Sequence, residues 1–427
     1  MVNYLVHKSS LQGEIVIPPS KSHTLRAVLF GALANGVTVI HNPLFSPDTF
    51  AMIDACRSLG ALIEVLDGRI EITGVDGKIT GAENVIDAGN SGLVLRMISA
   101  VAALGTQPIV ITGDHSIRHR REMMPMIEAL SEMGVKAIST KGDGYAPLII
   151  EGPMQKDVVH VLGEDSQFVS SLLIASLFAP FPTEIFVENP GEKPWVSLTL
   201  DWFRRLGIPY EMQDFTTYKI SGNVSYSGFT YTVPGDFSSA AFPIAAALVS
   251  GSELTIHNLQ IQDCQGDKEL IEVFKKMGAL IDIDEKENTI FVKKGASLEG
   301  IEVDINDFID SITILAVVGC FAKGTTRIKN AAVGRGKECD RIQSIVSELT
   351  KMGAKICESP DGLIVEKSSL HGGEVFSYYD HRMAMSLAVA GMGSEGSTKI
   401  ISSECVKKTY PSFLRDFQNL GAKMEEV

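Results

Sequence analysis

Two patterns of apolar and polar positions alternate along the chain. The first is an amphipathic helix that ends in an apolar residue and a glycine, then runs into a strand, a tight turn and a second strand. It occurs six times, at residues 52–60, 126–134, 200–207, 270–278, 345–353 and 413–421. The closing glycines Gly60, Gly134, Gly207, Gly278, Gly353 and Gly421 lie 74, 73, 71, 75 and 68 residues apart by subtraction. Each stands where a residue in the left-handed conformation ends a helix. The second pattern is apolar nearly all round, at residues 28–34, 94–104, 171–179, 240–249, 312–322 and 383–390. Such a helix must be covered on every side. Each leads through a Gly, Pro or Ser turn into a short strand, as at 37–40, 184–187 and 253–256.

The repeat is therefore a buried helix, a strand, an outer helix, a strand, a turn and a strand. Six copies divide into two α/β domains of three, with buried helices inside and sheets outside. An open solenoid is the rival, but long units in a single row would leave the apolar helices uncovered. The first strand has no helix before it and the chain ends on a strand. The predicted division is therefore a domain of residues 20–234 and a discontinuous domain of residues 1–19 plus 235–427. The chain then crosses near Pro18-Pro19 and again near Pro234-Gly235, and a ligand cleft is expected between the domains.

Composition agrees with this and narrows the chemistry. The 427 residues, 45% hydrophobic and 21% charged, supply ample core for two domains. A net charge of −14 argues against nucleic acid as a partner. No apolar run reaches about 18 residues, so neither a membrane span nor a signal peptide is expected, and the location is expected to be cytoplasmic. Cys56, Cys264, Cys320, Cys339, Cys357 and Cys405 are scattered without a Cys-x-x-Cys pair, which fits reduced, buried thiols.

Candidate chemistry lies where the strings break the apolar pattern. Ile17-Pro-Pro-Ser-Lys-Ser-His-Thr-Leu-Arg26 stops a strand and opens a helix. Its first turn offers backbone N–H groups, the Ser20, Ser22 and Thr24 hydroxyls, Lys21 and then Arg26, which is equipment for holding an anion. An ordinary capped surface helix would read the same way. Asp87-Ala-Gly-Asn-Ser-Gly-Leu-Val-Leu-Arg96 is a second nest before a buried helix, or a plain Gly-rich turn. Ile117-Arg-His-Arg-Arg121 is a cationic cluster or a solvated loop. In Arg335-Gly-Lys-Glu-Cys-Asp-Arg341 the spacing would put Lys337 and Arg341 on one helical face beside Glu338, as on a solvated helix. Tyr379-Asp-His-Arg-Met-Ala-Met385 sets ionisable groups at the mouth of an apolar helix, where desolvation disfavours an idle role. Lys407-Lys408 completes the set. All are expected at helix starts, converging on a site for a small polyanion. No metal-ligand spacing and no nucleotide P-loop is present, so no metal and no cofactor are expected.

These strings, with Asp165-Ser-Gln-Phe168, Gly235-Asp-Phe-Ser-Ser-Ala240 and Asp310, run in an order that resembles the enolpyruvyl transferase family, in its shikimate-pathway branch, over the whole chain. The resemblance implies two inside-out α/β domains, each of three βαβαββ-type repeats around buried parallel helices. It implies transfer of the enolpyruvyl group of phosphoenolpyruvate to the 5-hydroxyl of shikimate 3-phosphate with release of phosphate, by a monomer without cofactor. Carried over, Lys21, Gly92, Arg341, Arg382 and Lys408 resemble the phosphoenolpyruvate site, with one Arg of the 118–121 cluster. Distance from Gly113 makes that residue Arg120, and counting back from Leu130 makes it Arg121. Ser22, Arg26, Ser166, Gln167, Asp310 and Lys337 resemble the acceptor site. In that likeness Asp310 takes the hydroxyl proton, Glu338 gives one to the methylene carbon, and Lys21 serves as a shuttle. Three positions depart from the pattern: Asp165 and Glu192 stand where serines hold the acceptor's phosphate, and Leu93 where Thr is common. The first two favour a rival, a transferase for a less phosphorylated acceptor; a non-catalytic binding paralogue is a third reading.

Overall fold

The computed structural model describes residues 2–427. It forms two compact units, one of Pro19–Val233 and one of Met1–Pro18 with Pro234–Val427. Each unit has its own hydrophobic core. In the N-terminal unit that core gathers Phe30, Leu95, Ile98, Leu172 and Trp202, and in the C-terminal unit Phe242, Ile244, Leu315, Leu387 and Phe413. Burying side chains of this size contributes about 1.5–3 kcal/mol each.

The apolar helices form as their composition requires. Lys21–Leu33, Gly92–Ala102 and Ser166–Ser176 serve the N-terminal unit, and Phe237–Ser250, Ile312–Phe321 and His381–Gly393 the C-terminal unit. Nearly every residue of each is buried, because helices pack on helices within and sheets cover them without. The six glycines that close the outer helices all have positive φ, from 68° at Gly207 to 106° at Gly60. At these values a side chain would be strained, which is why glycine recurs.

There are six four-stranded sheets, three in each unit, with one shared connectivity. A parallel pair at one edge is followed by two antiparallel pairings. In one sheet Val158–Leu162 runs parallel to Thr183–Glu188, which is antiparallel to Thr217–Ile220, which is antiparallel to Tyr210–Gln213. The strand before each buried helix normally pairs with the strand after it. Where the chain crosses, that strand stays behind: Gln12–Val16 pairs with Glu253–His257, and Thr230–Thr232 with Val37–His41. These two exchanges complete the third sheet of each unit.

One expectation about side chains needs correcting. Cys56, Cys320 and Cys339 are buried, but Cys357 is exposed and Cys264 and Cys405 are partly so. Cys357 lies on the strand Lys355–Ser359, whose alternation turns it outward. No helix among the described residues is long and apolar enough to cross a membrane.

Candidate active site

In the C-terminal unit the expected residues gather around one guanidinium. Arg341 opens the helix Arg341–Lys351, which is capped by Asp340 through the N–H of Gln343. Its side chain is 2% exposed and serves three carboxylates. Nε donates to Asp380 Oδ2 at 2.8 Å, Nη1 to Asp310 Oδ1 at 2.6 Å and Nη2 to Glu338 Oε2 at 2.7 Å. Two of those carboxylates hold a second cation: Arg382 Nη2 donates to Asp310 Oδ2 at 2.6 Å, and Lys408 Nζ to Glu338 Oε1 at 2.6 Å. Burial works against the Arg341 charge, but Asp380, Glu338 and Asp310 outweigh it and hold its pKa well above the usual value. Asp380 also caps the helix His381–Gly393 by accepting from the Arg382 N–H.

Lys337 is buried beside this network but not on a helix with Arg341. Asp340 as cap makes the helix start at Arg341, and Lys337 is extended at the end of the 3₁₀ turn Ala332–Gly336. Asp310 and Lys408 also lie on 3₁₀ turns, Asn306–Ser311 and Ser403–Lys408. The expectation that every motif opens a helix therefore holds for Lys21, Gly92, Ser166, Arg341 and Arg382, and fails for these and for the 117–121 cluster, which lies at the end of the helix His115–His119.

Asp267 was not foreseen. It lies in the turn Gly266–Lys268, is 1% exposed, and accepts from the Ser238 hydroxyl. Burial first, and then the charge of Asp310, raises its pKa to about 7. Nothing in the sequence marked it, because Gln265-Gly-Asp267 reads as a polar surface turn before an outer helix.

In the N-terminal unit, Ser20 caps the helix Lys21–Leu33 by accepting from the His23 N–H at 3.4 Å. Lys21 pairs with buried Asp48 at 3.7 Å. Arg26 is buried and donates to Thr199 Oγ1 at 3.0 Å and to the carbonyls of Ser22 and Trp195, each at 3.3 Å. Gly92 is the first residue of its helix; a Cβ there would stand 3.4 Å from Arg96 Nη1 and 3.6 Å from Arg121 Cζ. Arg120, by contrast, is exposed at the end of the short helix His115–His119. The structure therefore sets Arg121, not Arg120, beside Gly92.

Ser166 and Gln167 open the helix Ser166–Ser176, where Asp165 accepts from the Gln167 N–H at 3.0 Å. Arg96 Nη1 reaches Asp165 Oδ2 and Gln167 Oε1, each at 2.9 Å. Glu192 is 2% exposed, and its Oε2 accepts from the Ser166 N–H at 3.1 Å and the Ser166 hydroxyl at 3.0 Å. Chemically, one unit holds two carboxylates between pairs of cations, and the other presents helix N-termini, whose backbone N–H groups and dipole favour negative charge.

Residues 6–417 match the model of the family described as EPSP synthase (3-phosphoshikimate 1-carboxyvinyltransferase). The chain is 43% identical to the 3-phosphoshikimate 1-carboxyvinyltransferase of Chlamydia caviae, covering 100% of this chain and 95% of that protein. It is 41% identical to the one from Acetivibrio thermocellus, with 98% of each covered. The solved EPSP synthase of Acinetobacter baumannii superposes with a TM-score of 0.83 at 28% identity, covering all of both chains. Sequence and architecture thus agree, and the chain belongs to the EPSP synthase (3-phosphoshikimate 1-carboxyvinyltransferase) family.

Proposed function

We infer that this protein transfers the enolpyruvyl group of phosphoenolpyruvate to the 5-hydroxyl of shikimate 3-phosphate and releases phosphate. The observation that carries the reading is half-buried Asp310 held by buried Arg341 and Arg382, with buried Glu338 held by Arg341 and Lys408, in a chain of this family.

The chemistry follows from the partners. Asp310, with an arginine on each oxygen, is an oriented carboxylate that accepts the proton of the attacking hydroxyl. The hydroxyl oxygen bonds to C2 of phosphoenolpyruvate while Glu338 delivers a proton to C3, giving a tetrahedral adduct. A C3 proton then returns to the Glu338 carboxylate as the C–O bond to phosphate breaks, which restores the double bond. Arg341, Arg382 and Lys408, with Lys21 and Arg121, stabilise the carboxylate and the departing phosphate. Of the two arginines left open by the resemblance, Arg120 and Arg121, Arg121 takes this place because it is the buried one, set against Gly92. Ser22, Arg26, Ser166, Gln167 and Lys337 bind the acceptor. A monomer working in the cytoplasm belongs to the same reading.

Glu192 on the Ser166 donors favours a second reading, an acceptor with less phosphate. Phosphate release from phosphoenolpyruvate tests both, with shikimate 3-phosphate and unphosphorylated shikimate as alternative acceptors. Turnover with the phosphorylated acceptor alone is the expected result. Turnover with shikimate alone would replace the first reading by the second.

A further inference from the structure

The donors at the start of the helix Ser166–Ser176 are already in use. Asp165 takes the Gln167 N–H, and Glu192 takes both the N–H and the hydroxyl of Ser166. Two carboxylates thus fill a helix N-terminus, the place where a substrate anion would otherwise draw on the same backbone N–H groups and the helix dipole. The two differ in how they are held. Asp165 is turned onto Arg96 at 2.9 Å and caps its own helix, so it is fixed at both oxygens. Glu192 comes from a separate segment, the residue before the helix Lys193–Arg205, and its Oε2 takes both Ser166 donors.

Its backbone is also unusual. Glu192 has φ 45° and ψ 40°, the left-handed region, which costs a non-glycine residue energy. Gly191 precedes it, and a Cβ there would stand 2.6 Å from the carbonyl oxygen of Glu164, so the backbone passes closely on that side. The chain thus spends conformational strain to set a buried carboxylate on the Ser166 donors.

We propose that Glu192 is a specificity-determining residue: an internal anion that occupies the Ser166 donors and that the anionic group of a phosphorylated acceptor must displace in order to bind. This rests on the reading of Ser166 and Gln167 as acceptor-binding residues. Its consequence is a weakened affinity for the phosphorylated acceptor specifically, because an unphosphorylated alcohol has no need of those donors and phosphoenolpyruvate is held by other residues.

The test is calorimetric titration of shikimate 3-phosphate, shikimate and phosphoenolpyruvate into the full chain and into Glu192→Ser and Glu192→Gly. The glycine variant suits the positive φ and so guards against misfolding. Both variants are expected to bind shikimate 3-phosphate at least tenfold more tightly, about 1.4 kcal/mol, with the other two ligands unchanged within about twofold. Unchanged or weaker binding of shikimate 3-phosphate in both variants would overturn the proposal. An equal gain for shikimate would also overturn it, since the effect would not depend on the phosphate. Phosphate release by the unaltered chain, measured in parallel, decides the transferase reading separately from these affinities.

Discussion

Buried charge is arranged differently in the two units. In the C-terminal unit one guanidinium is shared by Asp310, Glu338 and Asp380, and Arg382 and Lys408 close the network. In the N-terminal unit the donors on Glu192 Oε2 are neutral, the N–H and the hydroxyl of Ser166. The difference teaches which site is built to stay fixed. Removing a cation from the first leaves charges uncovered in a dry interior, whereas neutral donors released in the second can turn to water or a ligand. Arg341→Met is therefore expected to lower stability by about 3–5 kcal/mol, read from denaturant midpoints with unchanged slope. Glu192→Gln should stay within about 1 kcal/mol, because the amide oxygen can still accept from Ser166. Equal losses in the two variants would erase the distinction.

A smaller effect is expected within the charged network when geometry is kept and only proton transfer is lost. Glu338→Gln retains the shape of the group but cannot deliver a proton, and one of its two oxygen acceptors becomes a donor facing Lys408 or Arg341. Turnover should fall at least about a hundredfold, the usual worth of a general acid–base group. Binding of phosphoenolpyruvate, followed by calorimetry, should change far less. Near-normal turnover would take Glu338 out of the mechanism and leave it as a brace for Arg341.

The repeat was readable because period and punctuation are local. An apolar helix can only be a buried helix, and a glycine after each outer helix marks a φ that side chains resist. Counting strands led to the expected crossings near Pro18-Pro19 and Pro234-Gly235. Side-chain direction was another matter. Arg120 and Arg121 are adjacent and chemically identical, and which of them turns inward depends on how the chain leaves the short helix before them. The spacing of Lys337 and Arg341 suggested one helical face because i,i+4 is a helical distance, but Asp340 caps the helix between them. Asp165 and Glu192 could be read only as departures; that one would turn to Arg96 and the other to Ser166 required tertiary structure. Asp267 gave no signal of burial, since a polar Gln-Gly-Asp turn reads as surface.

Asp267 carries the smallest expected effect and sharpens the comparison, for it is a carboxylate of the C-terminal unit that no cation among the described residues holds by a hydrogen bond. Its neighbours in charge are Asp310 and Asp236, which oppose ionisation, and Arg382, which favours it, while Ser238 donates to one oxygen. Burial and Asp310 together raise its pKa from 3.8 to about 7. Between these values the folded chain keeps a proton that the unfolded chain gives up. The stability this group contributes is therefore complete below about pH 4 and is lost as pH rises toward 7, by up to about 1.4 kcal/mol per pH unit. Asp267→Asn has no such proton to hold. Its stability relative to the parent, from urea melts at pH 5, 6, 7 and 8, should rise with pH up to about 7 and then level off. Parallel pH curves for the two proteins would mean that Asp267 ionises as easily folded as unfolded, and that the C-terminal unit tolerates a charge there without a cation of its own.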